Sequence, residues 1–312
     1  MIKVDILLRE EQIAEDFLDA LENHDLPEKF FYWFPLSIRA WLNLCSDGAY
    51  RNYIRSHSVL QMHAENIVSM LPSQTIELVS LGAGQGTKDF LIIEQLHKQG
   101  KYSNYCPVDA SQGLLEIACQ TANRKNLTCR GIKADLNNDI HLNEMQNIWS
   151  DEPRLLMMLG NTLGAFDPLE FAKKLDTILR PNDFLILDGE LFSKSHTISG
   201  YDNPINRQFA FGPLSSIGLS EPDDGKLKID TDLDNRQKGL YRIRKEFIIA
   251  RNLEIMLAGE KVKLESDATI EMSWSYKYDR DTLINLVTSS GLKLIAEYTS
   301  QDQKFLTLLL KK

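Results

Sequence analysis

Gly82, Gly84 and Gly86 alternate in "LGAGQG", directly after the apolar run "IELVSL" and before the helical pattern "TKDFLIIEQLHKQG". Glycines this dense let a ligand approach bare backbone. Two carboxylates follow at equivalent places, Asp109 ending "YCPVD" and Asp135 ending "IKAD". The first is placed to accept hydrogen bonds from a ribose diol, and the second to lie beside a base. Three chemistries use such a turn: binding of a nicotinamide dinucleotide, of a nucleotide phosphate, or of S-adenosylmethionine. A dinucleotide site wants G-x-G-x-x-G with the third glycine in the helix. The spacing here is G-x-G-x-G, and no P-loop G-x-x-x-x-G-K-[ST] occurs. The second acid favours adenosylmethionine. Taken singly, either acid could be a helix N-cap, Asp109 lying just before "ASQGLLEIA". Turn, acid and acid after three successive strands favour ligand contact over capping.

These residues need a scaffold that brings three strand ends together. From residue 76 strand-like and helix-like stretches alternate, through "IELVSLG", "YCPVDAS", "TCRGIKADL", "RLLMMLGNTLGAF" and "DFLILDGELF". Such alternation predicts an α/β fold with a doubly wound, mostly parallel sheet and right-handed crossovers. Its ligand lies at the strands' carboxyl ends, near the point where strand order reverses. The last two runs, "KLIAEYTS" and "KFLTLLLKK", have no helix between them and must pair antiparallel. The expected organisation is a helical cap segment at 1–70, a Rossmann-like core at 71–192, a substrate-cap insertion at 193–278 and the rest of the core at 279–312. Within the insertion, "LYRIRKEFIIARN" and "LEIMLAGEKVKLE" read as a hairpin. The aromatic stretch "FFYWFPLSIRAWLNLC" reads first as packing.

Composition narrows the partners. The chain has 312 residues, 43% hydrophobic and 25% charged, with a net charge of −9. That balance excludes the basic field of a nucleic-acid surface. Cys45, Cys106, Cys119 and Cys129 form no CxxC pair, so they read as reduced thiols of a cytoplasmic protein. The opening "MIKVDILLREEQIAEDF" is too charged for a signal peptide or membrane span. No metal site is expected. His57 and His63 are six apart, unsuited to sharing one helix face, and read as structural.

The motifs "LGAGQGTKDFLI", "YCPVDAS", "IKADL", "MMLGNTLGAFDPLEF", "GYDNP" and "SYKYDRDTL" resemble, in order and spacing, the histidine-specific methyltransferase family. That family uses S-adenosylmethionine to methylate amines of amino-acid type. The resemblance implies a class I methyltransferase fold and a cofactor set of Gly82, Gly84, Lys88, Asp109 and Asp135, with adjoining Ala83, Ala110, Leu136 and Gly160. It implies that Tyr201 of "GYDNP" touches the acceptor. Where the family reads "LGSTIGNF", this chain reads "LGNTLGAF", so Ala165 replaces the asparagine that holds the amino-acid head, and Asn161 is the candidate to compensate. Aligned on "SYKY", the family's substrate glutamate and serine become Ser273 and Ser275. In a regular strand Glu271, Ser273, Ser275 and Lys277 share one face, with Ile270, Met272, Trp274, Tyr276 and Tyr278 opposite. Tyr53 is a further candidate acceptor contact. The expected pocket is larger and less acidic than the family's, with a small amine of amino-acid type, not histidine, as acceptor. Two other readings are an NAD-dependent oxidoreductase and a non-catalytic adenosylmethionine-binding protein acting through a partner.

Overall fold

A computed structural model describes residues 3–48, 50–72, 76–101, 103–257 and 259–312. The N-terminal part contains β1 (Lys3–Ile6), α1 (Glu10–Glu22), a 3-10 turn at Glu28–Tyr32, α2 (Pro35–Ser46) and α3 (Arg51–Ser69). The alternating region follows as β2 (Ile76–Leu81), α4 (Asp89–Lys98), β3 (Ser103–Asp109), α5 (Gln112–Arg124), β4 (Arg130–Lys133) and α6 (Asp139–Ile148). It continues as β5 (Arg154–Met158), a 3-10 turn at Thr162–Ala165, α7 (Pro168–Ile178) and β6 (Phe184–Glu190). The insertion holds α8 (Lys194–Tyr201), α9 (Pro204–Ala210), α10 (Gly212–Ser216), β7 (Gly225–Leu233), β8 (Leu240–Ile249), β9 (Leu253–Leu257), β10 (Glu260–Leu264) and β11 (Thr269–Tyr278). The chain closes with α11 (Arg280–Thr288), β12 (Lys293–Thr299) and β13 (Phe305–Lys311).

The main sheet has eight strands in the order β1-β4-β3-β2-β5-β6-β13-β12. All neighbours are parallel except β13, which runs antiparallel between β6 and β12. The order reverses beside β2, whose neighbours are β3 and β5. The turn after β2 therefore opens into the crevice where such sheets bind ligands. Strand β2 is buried along its whole length, as a parallel strand covered on both faces must be. Leucines and isoleucines of α3 and α4 and alanines of α5 pack one face. Side chains of α6, α7 and α11 pack the other.

A third core lies outside the sheet. Phe17, Leu21, Phe30 and Phe31 of the N-terminal segment pack with Phe209, Leu214, Phe247, Ile270 and Met272 of the insertion. Two distant stretches thus share one apolar core, each covering what the other would expose to water. The N-terminal stretch differs from its predicted helical form. Lys3–Ile6 is a strand that pairs parallel with β4, and α3 packs on the sheet rather than in this third core. Four residues of strand are too short for periodicity to reveal. The predicted hairpin also differs: β9 pairs with β10, while β8 pairs with β7 and β11. Gly225–Leu233, which reads as loop in sequence, is the strand that takes β8's other edge. Among the described residues no helix is long and apolar enough to cross a membrane.

Candidate active site

A cavity of about 480 Å³ runs from the glycine turn into the space between the sheet and the third core. Gly82, Ala83, Gly84, Lys88, Asp109, Ala110, Asp135, Leu136 and Gly160 all line it, as do Tyr53, Asn161, Tyr201, Ser273 and Ser275. Its volume suits a small organic ligand.

At the turn, Gly84 has φ 56° and open space where a Cβ would stand. That opening lets a ligand meet the backbone. Its N–H donates to Oδ2 of Asp109 at 2.7 Å, and Ser111 N–H donates to Oδ1 at 2.9 Å. Asp109 does not cap α5; that role belongs to Ser111, whose Oγ accepts from Leu114 N–H. Burial pushes the Asp109 carboxyl up, opposed by backbone donors from Ser111, Gly84 and Ala110. Two oxygens can accept about four hydrogen bonds, so the direct bonds from Gly84 and Ser111, one to each oxygen, leave acceptor capacity for a ribose hydroxyl. Asp135 is not a cap either, since Asn138 caps α6. Its Oδ1 accepts from Asn137 N–H at 2.8 Å, and its Oδ2 lies 3.0 Å from Lys29 Nζ. Lys29 also holds Asp16 at 2.5 Å, which ties the N-terminal segment to this end of the cavity.

The loop after β5 is held from below. Asp188, fully buried near the end of β6, accepts from Gly160 N–H at 2.6 Å, Asn161 N–H at 2.8 Å and Ser56 Oγ at 2.5 Å. Burial pushes its carboxyl up, and the nearby Lys88 pulls the other way. Gly160 takes φ 88°, a left-handed conformation that favours glycine, and a Cβ there would displace the Lys88 ammonium. Asn161 takes a left-handed conformation, φ 63° and ψ 31°. Its side-chain oxygen accepts from Glu190 N–H at 3.0 Å, and its amide nitrogen donates to Tyr276 O at 3.2 Å and reaches Ser275 Oγ at 3.4 Å. The amide clamps β6 to β11, which leaves it little capacity to replace the family's missing asparagine. Ala165 lines the cavity beside it.

Tyr201 and Ser275 meet at 3.5 Å, and Asn52 donates to the Tyr201 phenol at 3.3 Å. Lys277, fully buried, donates to Ser275 Oγ at 2.7 Å and lies 3.3 Å from Glu190. Burial, reinforced by Glu190, pushes the Tyr201 phenol far up, so it stays a neutral donor. Tyr53 stands between its stacked neighbour His57, 6.3 Å away, and Lys88, 5.8 Å from its ring.

Strand β11 departs from regular alternation. Glu271 pairs with Glu246 and Trp274 with Arg244, so Met272 and Ser273 together oppose Lys245. This is a bulge, one extra residue in one strand, with Ser273 at φ 56°. Directly opposite residues share a face. Ser273 and Ser275 therefore face the cavity, while Glu271 lies with Glu246 on the other face and does not line it. The predicted alignment of Glu271 with the serines fails because it assumes a strand without a bulge. The apolar stripe splits for the same reason. Ile270 and Met272 enter the third core, whereas Tyr276 and Tyr278 enter the sheet's core with Trp274 against it.

Ser273 Oγ donates a short hydrogen bond to Glu28, which comes from the N-terminal 3-10 turn 245 residues away. Tyr32 donates to the same carboxylate at 3.0 Å. A carboxylate thus stands where alignment of the strand alone shows only a serine. Beside it is Lys245, buried and 3.8 Å from Glu28. Sequence reasoning missed Glu28, Lys245 and Asp188. The first two have no local signal; Asp188 had one, an acid near the end of a strand in "LILDGE".

A profile of the family described as "Histidine-specific methyltransferase, SAM-dependent" matches residues 13–312. "Ergothioneine biosynthesis protein 1" of Neurospora crassa is 24% identical over 265 residues, 81% of this chain. The match spans only 29% of that protein. "N-methyltransferase imqF" of Aspergillus flavus is 19% identical over 300 residues, covering 91% of this chain and 80% of the relative. A solved S-adenosylmethionine-dependent methyltransferase from Clostridium acetobutylicum ATCC 824 superposes with a TM-score of 0.42 at 13% identity, over 84% of this chain and 91% of that one. The profile match over nearly the whole chain places this protein in the histidine-specific, S-adenosylmethionine-dependent methyltransferase family.

Proposed function

We propose that this enzyme methylates the nitrogen of a small amine of amino-acid type, and that histidine is a poor acceptor. The observation that carries the reading is that one cavity joins Gly84, Asp109 and Asp135 at one end to Tyr201, Ser273 and Ser275 at the other. Bound S-adenosylmethionine supplies an electrophilic methyl carbon on a sulfonium. Asp109 would take the ribose hydroxyls, Asp135 and Leu136 would flank the base, and Lys88 would pair with a carboxylate. The N-terminal segment from α1 to α2 and the insertion would supply the cover that excludes water, through the core that they share.

An in-line displacement asks the protein mainly for proximity and alignment. The acceptor nitrogen must be neutral when it attacks. Burial and nearby cations both lower an amine's pKa, and Lys88, Lys245 and Lys277 supply the cations. Tyr201, kept neutral, offers a phenol to the amine end. Support for an amine acceptor comes from the relative whose name gives N-methyl transfer. Ala165 offers the amino-acid head no hydrogen bond, and Lys245 would repel an imidazolium. Losing polar partners in a site built to pair them costs orders of magnitude in discrimination.

The test is a methylation assay with labelled cofactor on histidine and a panel of aromatic and aliphatic amino acids and amines, read by mass. Methylation on nitrogen of a non-histidine amine, with histidine far slower, supports the reading. Histidine as the best acceptor would sink the exclusion of histidine, and methyl transfer to oxygen or carbon alone would sink the amine.

A further inference from the structure

Two buried lysines stand at the acceptor end, and only Lys245 lines the cavity itself. Lys277 donates to Ser275 Oγ and is paired with Glu190 at 3.3 Å. Lys245 is 5% exposed, lines the cavity, and has no hydrogen bond to any described residue. Its nearest anion, Glu28, is 3.8 Å away, and its ammonium lies 4.7 Å from the centre of the Phe31 ring. Both Glu28 oxygens are already engaged, Oε1 by the Tyr32 phenol and Oε2 by Ser273 Oγ.

An ammonium carries three donors, and buried polar groups are as a rule hydrogen-bonded. A buried lysine with free donors aimed into a cavity is therefore a site for an acceptor atom. We propose that Lys245 anchors an oxygen of the methyl acceptor, so that the acceptor is an amino-acid-type amine bearing a carboxylate or hydroxyl oxygen at its far end. This rests on the amine reading above and adds the substrate class.

Position supports the assignment. Lys245 stands opposite Met272–Ser273, two residues along β11 from Ser275, where Tyr201 and Asn161 converge. Two residues of strand span about 6–7 Å. That is the separation between the amine of an amino acid and the end of a medium-length side chain, not between the amine and its own carboxylate. Burial pushes Lys245 down, Glu28 pulls it back up, and Lys277 adds to the fall. An anionic oxygen would hold it charged.

The experiment uses matched pairs, tyrosine with phenylalanine and glutamate with norvaline, on wild type and on Lys245→Met. Turnover is read as kcat and KM, and binding is read by calorimetry on protein saturated with S-adenosylhomocysteine. The oxygen-bearing member of at least one pair is expected to be preferred by about 100-fold in wild type, the scale on which a polar site rejects an analogue lacking its partner. Lys245→Met should collapse that preference through KM, with S-adenosylhomocysteine affinity unchanged as the check that it folds. If Lys245→Met fails that check, Glu28→Gln serves instead: removing the counter-ion should widen the preference for glutamate over norvaline. Pairs bound and methylated without preference, a preference untouched by Lys245→Met, or one unmoved by Glu28→Gln would overturn the inference alone. No amine bound or methylated would overturn the amine reading and the inference with it.

Discussion

The two ends of the cavity are built in opposite ways. The cofactor end is local: each of its residues follows a parallel strand directly, Gly84 after β2, Asp109 at the end of β3 and Asp135 just past β4. Strand ends of a doubly wound sheet meet at the order reversal whatever the rest of the chain does. The acceptor end is assembled from Glu28, Tyr53, Tyr201, Lys245 and Ser273, which lie on five separate elements. It exists only because the N-terminal segment and the insertion share a core. A site of the first kind tolerates divergence in its surroundings. A site of the second kind depends on contacts between distant elements, as the bond from Ser273 to Glu28 illustrates.

Asp188 joins the two ends, and its loss should be felt at both. Asp188→Ala leaves two buried donors, on Asn161 and Ser56, and the half-buried N–H of Gly160 without their acceptor. At about 1–3 kcal/mol for each buried unsatisfied group, urea unfolding should show a loss of about 2–6 kcal/mol. A change under about 1 kcal/mol would mean that the loop is held elsewhere.

A pH dependence should separate the floor of the cofactor end. Asp89, buried beneath the glycine turn and hydrogen-bonded to the Tyr105 phenol at 2.6 Å, has its carboxyl pushed up from 3.8 to about 6 by burial. The folded state then binds the proton more tightly than the unfolded one. Its contribution is present below about pH 4 and is lost as pH rises through about 6. Relative to Asp89→Asn, wild type should lose about 3 kcal/mol across that window, at 1.36 kcal/mol per pH unit of displacement. Parallel stability curves for the two proteins would contradict this.

Asp109→Ala should weaken S-adenosylmethionine binding by about 1–3 kcal/mol, the scale of hydrogen bonds to a charged group, while the acceptor's KM moves little. An unchanged dissociation constant would reduce Asp109 to a brace for Gly84 and Ser111. The smallest expected effect is at the other end. Ser273→Gly keeps the positive φ and removes the hydroxyl from Glu28. It should raise the acceptor's KM by about 1 kcal/mol, a typical hydrogen bond, with cofactor affinity constant. If both variants shift both ligands equally, the cavity does not divide as described.

Legibility follows the same division. The parallel order, the antiparallel finish and the whole cofactor end could be read from strand–helix rhythm and a few punctuating glycines and acids. Tyr201, Ser273 and Ser275 could be placed through resemblance. The face of Glu271 could not, because one bulge reverses strand alternation and no residue type announces it. Strand β7 escaped because its glycine and aspartates, with Pro222 just before them, read as loop chemistry, and pairing with β8 overrides that local preference. Glu28 and Lys245 come together through tertiary contact alone.

A crystal structure with S-adenosylhomocysteine and an accepted amine tests the central claim most directly. The account predicts the adenosine between Gly84, Asp109 and Asp135, and the amine nitrogen between the sulfur and Tyr201, with its far oxygen on Lys245. An amine bound outside the cavity, or a cofactor sulfur turned away from Tyr201 and Ser275, would contradict it.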